Sequence, residues 1–320
     1  SLVSALLLVA ATPYAIDIIR HWDIRSGSER QVRLERSTYL LATLASFVFF
    51  TQIVALLLFV FNADKMAAMI VGAMCAVGTL SANSFGFPAL ICQLVLFFAA
   101  ACWLVINHAD TRAPDYPLVR TKYVLLLLLL PLVLLMAALQ FRFFLGIKAD
   151  VITSCCGSLF SEENEELGGA LATAPALPAM IGFYVSLLLA SLAALFHWKQ
   201  RKGAYAVAAF SAVAFVVAIV GMVSFLSLYI YEHPNHHCPF CILKPEYGYQ
   251  GYWLYLPLFS ATAAGLAIGA LQPFSTRPSL KTVLPRITQR LAGFAAGMFV
   301  LFAALSTFMI VNSRLVLLEP

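Results

Sequence analysis

Cys238-Pro239-Phe240-Cys241 is the stretch of this chain whose residue types and spacing point most directly to chemistry. Two cysteines three residues apart on a helical turn bring their sulfurs close enough to form a disulfide or to share a metal ion. Exchange of a disulfide proceeds through the thiolate, and an adjacent imidazole such as His237 favours that form. A vicinal pair, Cys155 and Cys156, lies upstream in a polar segment that carries Glu162, Glu163, Glu165 and Glu166. His236, His237, Cys238 and Cys241 also make a mixed imidazole–thiolate set within six residues, which suits copper or zinc, and adjacent cysteines suit soft metals in general. Lys244, Tyr247, Tyr249, Tyr252, Trp253 and Tyr255 follow the CxxC at once. Other signatures are missing: the His precedes the CxxC, so covalent haem attachment has no motif, and no GxxxxGK[ST], GxGxxG or HExxH occurs.

The elements that must hold these residues are set by composition. Of 320 residues, 62% are hydrophobic and 11% charged, and the mean hydropathy is +0.90. Soluble domains average about 45–50% apolar and about 25% charged residues. These values exclude an ordinary soluble domain, a disordered chain and a nucleic-acid binder, and imply an all-α polytopic membrane bundle. A span needs about 20 apolar residues. Eight segments meet that length, at 1–19, 39–61, 88–107, 123–146, 176–197, 204–231, 252–271 and 290–312. The first lacks a basic leader region and a cleavage site, and is expected to be a retained helix. The 66–80 stretch is apolar but short, and a Gly/Asn/Pro-containing break over 81–88 separates it from the next span.

Lys and Arg orient the spans, because short cytoplasmic loops retain them. Fifteen of the twenty fall in four segments, 20–36, 112–122, 199–202 and 277–290. All four share the cytoplasmic side only if 66–80 does not cross. The expectation is therefore eight crossings with both termini outside and an interfacial or re-entrant helix near 66–80, nine crossings being the alternative. A division into 1–107 and 108–320 follows the second basic loop. On this topology Cys155, Cys156, Cys238, Cys241 and Cys75 share the extracytoplasmic side, with His233, His236 and His237, whereas Cys92 and Cys102 lie within a span. None of the six His falls at mid-span, so a buried bis-His haem is not expected.

The run Cys238-Pro239-Phe240-Cys241-Ile242-Leu243-Lys244 resembles the CxxC stretch of the disulfide-bond-forming protein B and vitamin K epoxide reductase families. Those are membrane helix bundles that pass electrons from thiols to a quinone. The resemblance implies a quinone-proximal pair at Cys238 and Cys241, a shuttle pair at Cys155 and Cys156, and a quinone oxygen met by Lys244. Tyr247, Tyr249, Tyr252, Trp253 and Tyr255 read as an aromatic belt where a helix meets the headgroups. Of these, Tyr247, Tyr249 and Trp253 could line a quinone headgroup. Arg142 is placed to snorkel to the interface, or to face the quinone or an acidic loop partner. The chain departs from the pattern in its adjacent Cys155 and Cys156, in Pro245 and Gly248 soon after the motif, and in having about twice the spans of a four-helix core.

Three functions follow as expectations. The first is a thiol:quinone oxidoreductase of a bacterial cytoplasmic membrane, served by an extracytoplasmic thiol protein or small thiol. The second is a membrane protein that binds or delivers copper or zinc through His236, His237, Cys238 and Cys241. The third is a structural subunit of a membrane complex whose cysteines form stapling disulfides.

Overall fold

A computed structural model of the chain describes residues 1–148 and 175–317. Among them eight helical segments are long and apolar enough to cross a membrane. The helices are α1 (Leu2–His21), α2 (Glu29–Met66), α3 (Ala76–Ser81), α4 (Gly86–Arg112), α5 (Val119–Leu145), α6 (Ala176–Gln200), α7 (Ala204–Gly221), α8 (Ser227–Tyr231), α9 (Gln250–Leu271) and α10 (Leu284–Asn312). No strand occurs among the described residues, and the all-α membrane bundle stands. Helices are the natural outcome for such a chain, because hydrocarbon offers no partner for a backbone N–H or C=O left unpaired. Prolines sit inside α1, α5 and α9, at Pro13, Pro131 and Pro257. Large apolar side chains such as Leu6, Leu128, Leu188 and Phe308 are exposed, as expected of lipid-facing surface.

The 66–80 stretch holds a 3-10 turn at Ala67–Met69 and the six-residue α3. At about 1.5 Å per residue neither can cross a bilayer. Ala76, Val77, Gly78, Thr79 and Leu80 are nevertheless buried, so this piece is packed into protein.

The chain forms two compact units, each assembled from separate stretches. One comprises 1–60, 83–147 and 270–287. Its core gathers Leu8, Ile18, Phe49, Trp103, Tyr123 and Leu126, and α5 packs against both α1 and α4. Some polar groups inside it pair across helices: Gln140 Nε2 donates to Gln93 Oε1 at 3.1 Å, and Gln93 Nε2 donates to the Gln52 carbonyl at 2.9 Å. The α4–α5 turn is fastened by Asp110, whose Oδ1 accepts the Leu118 N–H at 2.7 Å and whose Oδ2 lies 2.8 Å from Lys122 Nζ. Lys122 also donates to Asn107 Oδ1 at 3.0 Å and is only 1% exposed. The sequence places Lys122 in the second basic segment; the structure buries it, with Asp110 and Asn107 in place of its water.

The other unit comprises 61–82, the described part of 148–269 and 288–317. Within it α6 packs on α7, and Phe183 meets Phe225 and Phe302 at ring-centre distances of 5.4 and 5.5 Å. Small residues let α7 and α9 approach closely. A Cβ on Gly269 would lie 2.5 Å from Ala208 Cβ, and one on Gly265 would collide with Ser211. Backbones brought together in this way are how apolar helices associate where the hydrophobic effect gives no drive.

Candidate functional site: a buried cluster of three cysteines

The chemistry-bearing loop lies wholly within this second unit. It is framed by two spans, the first of which carries an irregularity. Between α7 and α8 the helix widens into one π turn, Met222–Leu226. Such a turn loosens the regular carbonyl ladder, and here the Val223 carbonyl accepts from His237 Nδ1 at 2.9 Å. The hydrogen bond places the proton of His237 on Nδ1. Farther along, at the end of α8, the Tyr231 hydroxyl donates to the Cys238 carbonyl at 2.5 Å. From the other side the Tyr255 hydroxyl, on α9, donates to the Pro239 carbonyl at 2.6 Å. Two tyrosines from two spans therefore clamp consecutive carbonyls of the CxxC.

The CxxC lies in a turn that runs into a 3-10 helix at Cys241–Leu243, followed by a second at Pro245–Tyr247. The sequence leads one to expect a helical turn here; the tighter winding has a cause. Pro245 cannot donate to continue a helix, and Gly248 and Tyr249 both take left-handed backbone, at φ 60° and 55°. The chain thereby reverses into α9. At that start Gly251 has no room for a side chain, since a Cβ would lie 2.8 Å from Leu243 and 2.9 Å from Ile242. The first turn of α9 thus rests directly on the residues after Cys241.

This framing brings together Cys238, Cys241 and Cys75, whose sulfurs all lie within 4.8 Å of one another. Cys75 Sγ is 3.5 Å from Cys238 Sγ. Cys75 and Cys238 are fully buried and Cys241 is 5% exposed. Cys75 ends the turn before α3, and its segment is tied to the CxxC loop by Lys244. The Lys244 ammonium donates to the carbonyl of Met74, the residue before Cys75, and stands 3.9 Å from Asp64 Oδ1. A cavity of about 250 Å³ opens beside this tie, lined by Asp64, Lys65, Ala73, Met74, Lys244 and Pro245.

The other sequence candidates distribute around this cluster as follows. His236 stacks on Tyr231 at 4.1 Å, and Tyr247 packs edge-on to Tyr231 at 4.5 Å. The group of converging ligand atoms includes neither His236 nor His237. Burial, with Cys241 nearby, pushes the Tyr247 phenol above its ordinary value, so it stays protonated. Tyr249 and Trp253 are exposed, at 51% and 66%. Arg142 is exposed in the last turn of α5, in the other unit. Cys155 and Cys156 lie outside the described residues. Sequence spacing alone gives no pairing for Cys75 with the CxxC; its only sequence signal is the charge bias that puts it on the same side. Tyr231, at the end of its span, carries no sequence signal for its hydrogen bond.

No protein-family model, curated protein or solved structure matches this chain.

Proposed function

We propose that the protein is a membrane thiol–disulfide redox protein whose working centre is Cys75, Cys238 and Cys241. The observation that carries this reading is the third sulfur. A stapling disulfide occupies two cysteines and has no use for another in contact, whereas exchange requires a thiolate to approach a disulfide sulfur. Cys75 stands 3.5 Å from Cys238, with Cys241 within 4.8 Å of both.

The chemistry balances as a two-electron cycle. Oxidation of two of the thiols forms one S–S bond and releases two protons and two electrons, which a quinone from the bilayer takes up to become a quinol. The third thiol, as thiolate, then attacks the new disulfide; one S–S bond forms, another breaks, and the expelled thiolate is protonated, with no net change of electrons. Two electrons and two protons from extracytoplasmic thiols, which are oxidised to a disulfide, pass through Cys155 and Cys156 and return the centre to its reduced form. The cavity beside Lys244 is where a quinone headgroup would approach. In this reading Lys244 chiefly holds the Cys75 segment in place, and the loop side is the extracytoplasmic face of a bacterial cytoplasmic membrane.

Soft-metal binding is the second reading, and one observation favours it. Three thiolates around one ion, with metal–sulfur bonds of about 2.3 Å, stand about 4 Å apart, close to the spacing found. Such a site would hold Cu(I) on sulfur alone, without His236 or His237.

One preparation separates the readings. The chain bearing Cys155→Ser and Cys156→Ser is purified in detergent, reduced, treated with a soluble quinone and alkylated for mass spectrometry. The redox reading expects two of the three cluster thiols to be lost with stoichiometric quinol formation, and Cys75→Ser to slow that reaction at least tenfold. Unchanged thiols together with one equivalent of bound copper would replace it with the metal reading.

A further inference from the structure

The structure assigns a second binding site, for a phosphate ester, to the unit formed by 1–60, 83–147 and 270–287. It lies at the end where the α1–α2 and α4–α5 turns meet the segment before α10, far in sequence from any cysteine of the cluster. A cavity of about 700 Å³ there is lined by Arg25, Arg120 and Arg277 together with Asp23 and Asp115. Among the described residues none of the three arginines forms an ion pair. Arg120 Nη2 donates to the Trp22 carbonyl at 2.5 Å, and Arg277 Nη1 donates to the Pro117 carbonyl. A guanidinium has five N–H groups in a planar fork, so each keeps donors beyond the one spent in holding it in place.

Each acid of this wall has one oxygen engaged, while Asp115 Oδ1 is buried with no hydrogen-bond partner among the described residues. Asp23 Oδ1 accepts the Arg25 backbone N–H at 3.1 Å, and Asp115 Oδ2 accepts from the Ser279 hydroxyl. Three arginines on three separate stretches of chain, converging on one hollow, fit the geometry that guanidinium groups offer to phosphate.

The hollow does not stop at the arginines. A second chamber of about 560 Å³ shares Trp22, Ile24 and Tyr116 with it. Its mostly apolar lining carries polar groups: Asn107 Nδ2 donates to Ser46 Oγ at 3.1 Å, and Glu35 and Lys122 also line it. The Thr38 hydroxyl on its wall is buried and has no hydrogen-bond partner among the described residues. A buried polar group left unmatched destabilises the fold, and a ligand oxygen there would satisfy it. Tyr116, at the seam of the two chambers, is held at φ 43°, where non-glycine residues are strained. The occupant therefore has a phosphate for the arginine chamber and an organic part with hydrogen-bonding oxygens for the other. A phospholipid headgroup and a soluble sugar phosphate both have that chemistry.

Native mass spectrometry and thermal shift on the full chain in detergent test this. The probes are phosphatidylglycerol, phosphatidylcholine, glucose 6-phosphate and inorganic phosphate. Binding of phosphatidylglycerol over phosphatidylcholine identifies a lipid source, and binding of glucose 6-phosphate a soluble one; either supports the site. The variant Arg25→Gln is expected to weaken the bound probe at least threefold, and Arg25→Gln with Arg120→Gln and Arg277→Gln more than tenfold. Arg120 and Arg277 also hold backbone carbonyls, so Arg25→Gln stands alone if the triple variant fails to fold. Thr38→Val is expected to weaken the organic ester severalfold while leaving inorganic phosphate binding unchanged and the melting temperature of the unliganded protein the same or higher. The proposal is overturned if no phosphate-bearing probe binds, or if the folded Arg25→Gln protein binds as the parent does.

Discussion

At the residue scale, the identity of the partner matters more than the identity of the motif. The CxxC is visible at once, but Cys75 stands 163 residues away from Cys238 in the chain, and no local spacing rule reaches that far. What is legible is only that the charge bias puts all three cysteines on one side. Lys122 shows the complementary case. With Asp110 twelve residues before it, it looks like a loop charge, yet the α4–α5 turn folds the two together inside protein. Lys122→Met is expected to cost about 3–5 kcal/mol by stranding the Asp110 carboxylate, and Asp110→Asn added to it should recover much of the loss; melting in detergent measures both. Tyr231→Phe removes one hydrogen bond to the CxxC backbone, worth about 0.5–1.5 kcal/mol. It should leave the fold intact while the rate of disulfide formation by added quinone falls, read by alkylation against time.

At the scale of elements, the eight spans are legible because about 20 consecutive apolar residues have few other fates. The short stretch at 66–80 is legible too, as a segment too brief to cross, although its burial around Ala76–Leu80 is not. The winding of the CxxC loop could not be read, because it depends on α9 resting against it. Gly251 is the contact that fixes this. Gly251→Val is expected to push Ile242 and Leu243 aside and separate Cys241 from Cys75. The loss of cross-linking between these two under mild oxidation, with little change in helical circular dichroism, checks it. Gly269→Leu acts differently, by forcing α7 and α9 apart, and should destabilise the bundle by about 1–3 kcal/mol. A lower melting temperature, with the thiol reaction retained in the folded fraction, is the expected result.

At the scale of the whole molecule, the decisive quantity is the number of crossings. Eight crossings place the turn after α1 and the segment after α10 on opposite faces. Gly27 is exposed with open space around it, and Arg314 is exposed. In the Cys155→Ser and Cys156→Ser background, a membrane-impermeant maleimide added to intact cells should label Arg314→Cys and spare Gly27→Cys until the cells are opened. Labelling of both in intact cells would contradict the arrangement. The grouping into two interleaved units was beyond sequence reading, because α2, α9 and α10 each contribute to both, whereas a composition shift marks only linear boundaries.

The π turn at Met222–Leu226 has one more consequence. A helix advances about 100° per residue, and the π turn absorbs one extra residue in a wider winding. Removing a residue elsewhere in the span would therefore swing Tyr231 by about 100°, away from the Cys238 carbonyl. Removing one from the π turn would instead leave Tyr231 nearly in register and return the Val223 carbonyl to the helix ladder, away from His237. The span Ala204–Tyr231 should therefore tolerate exchange of one apolar residue for another far better than loss or gain of a single position. Outside the π turn the length of the span acts as a setting that keeps the hydroxyl at its end aligned with the cysteine loop.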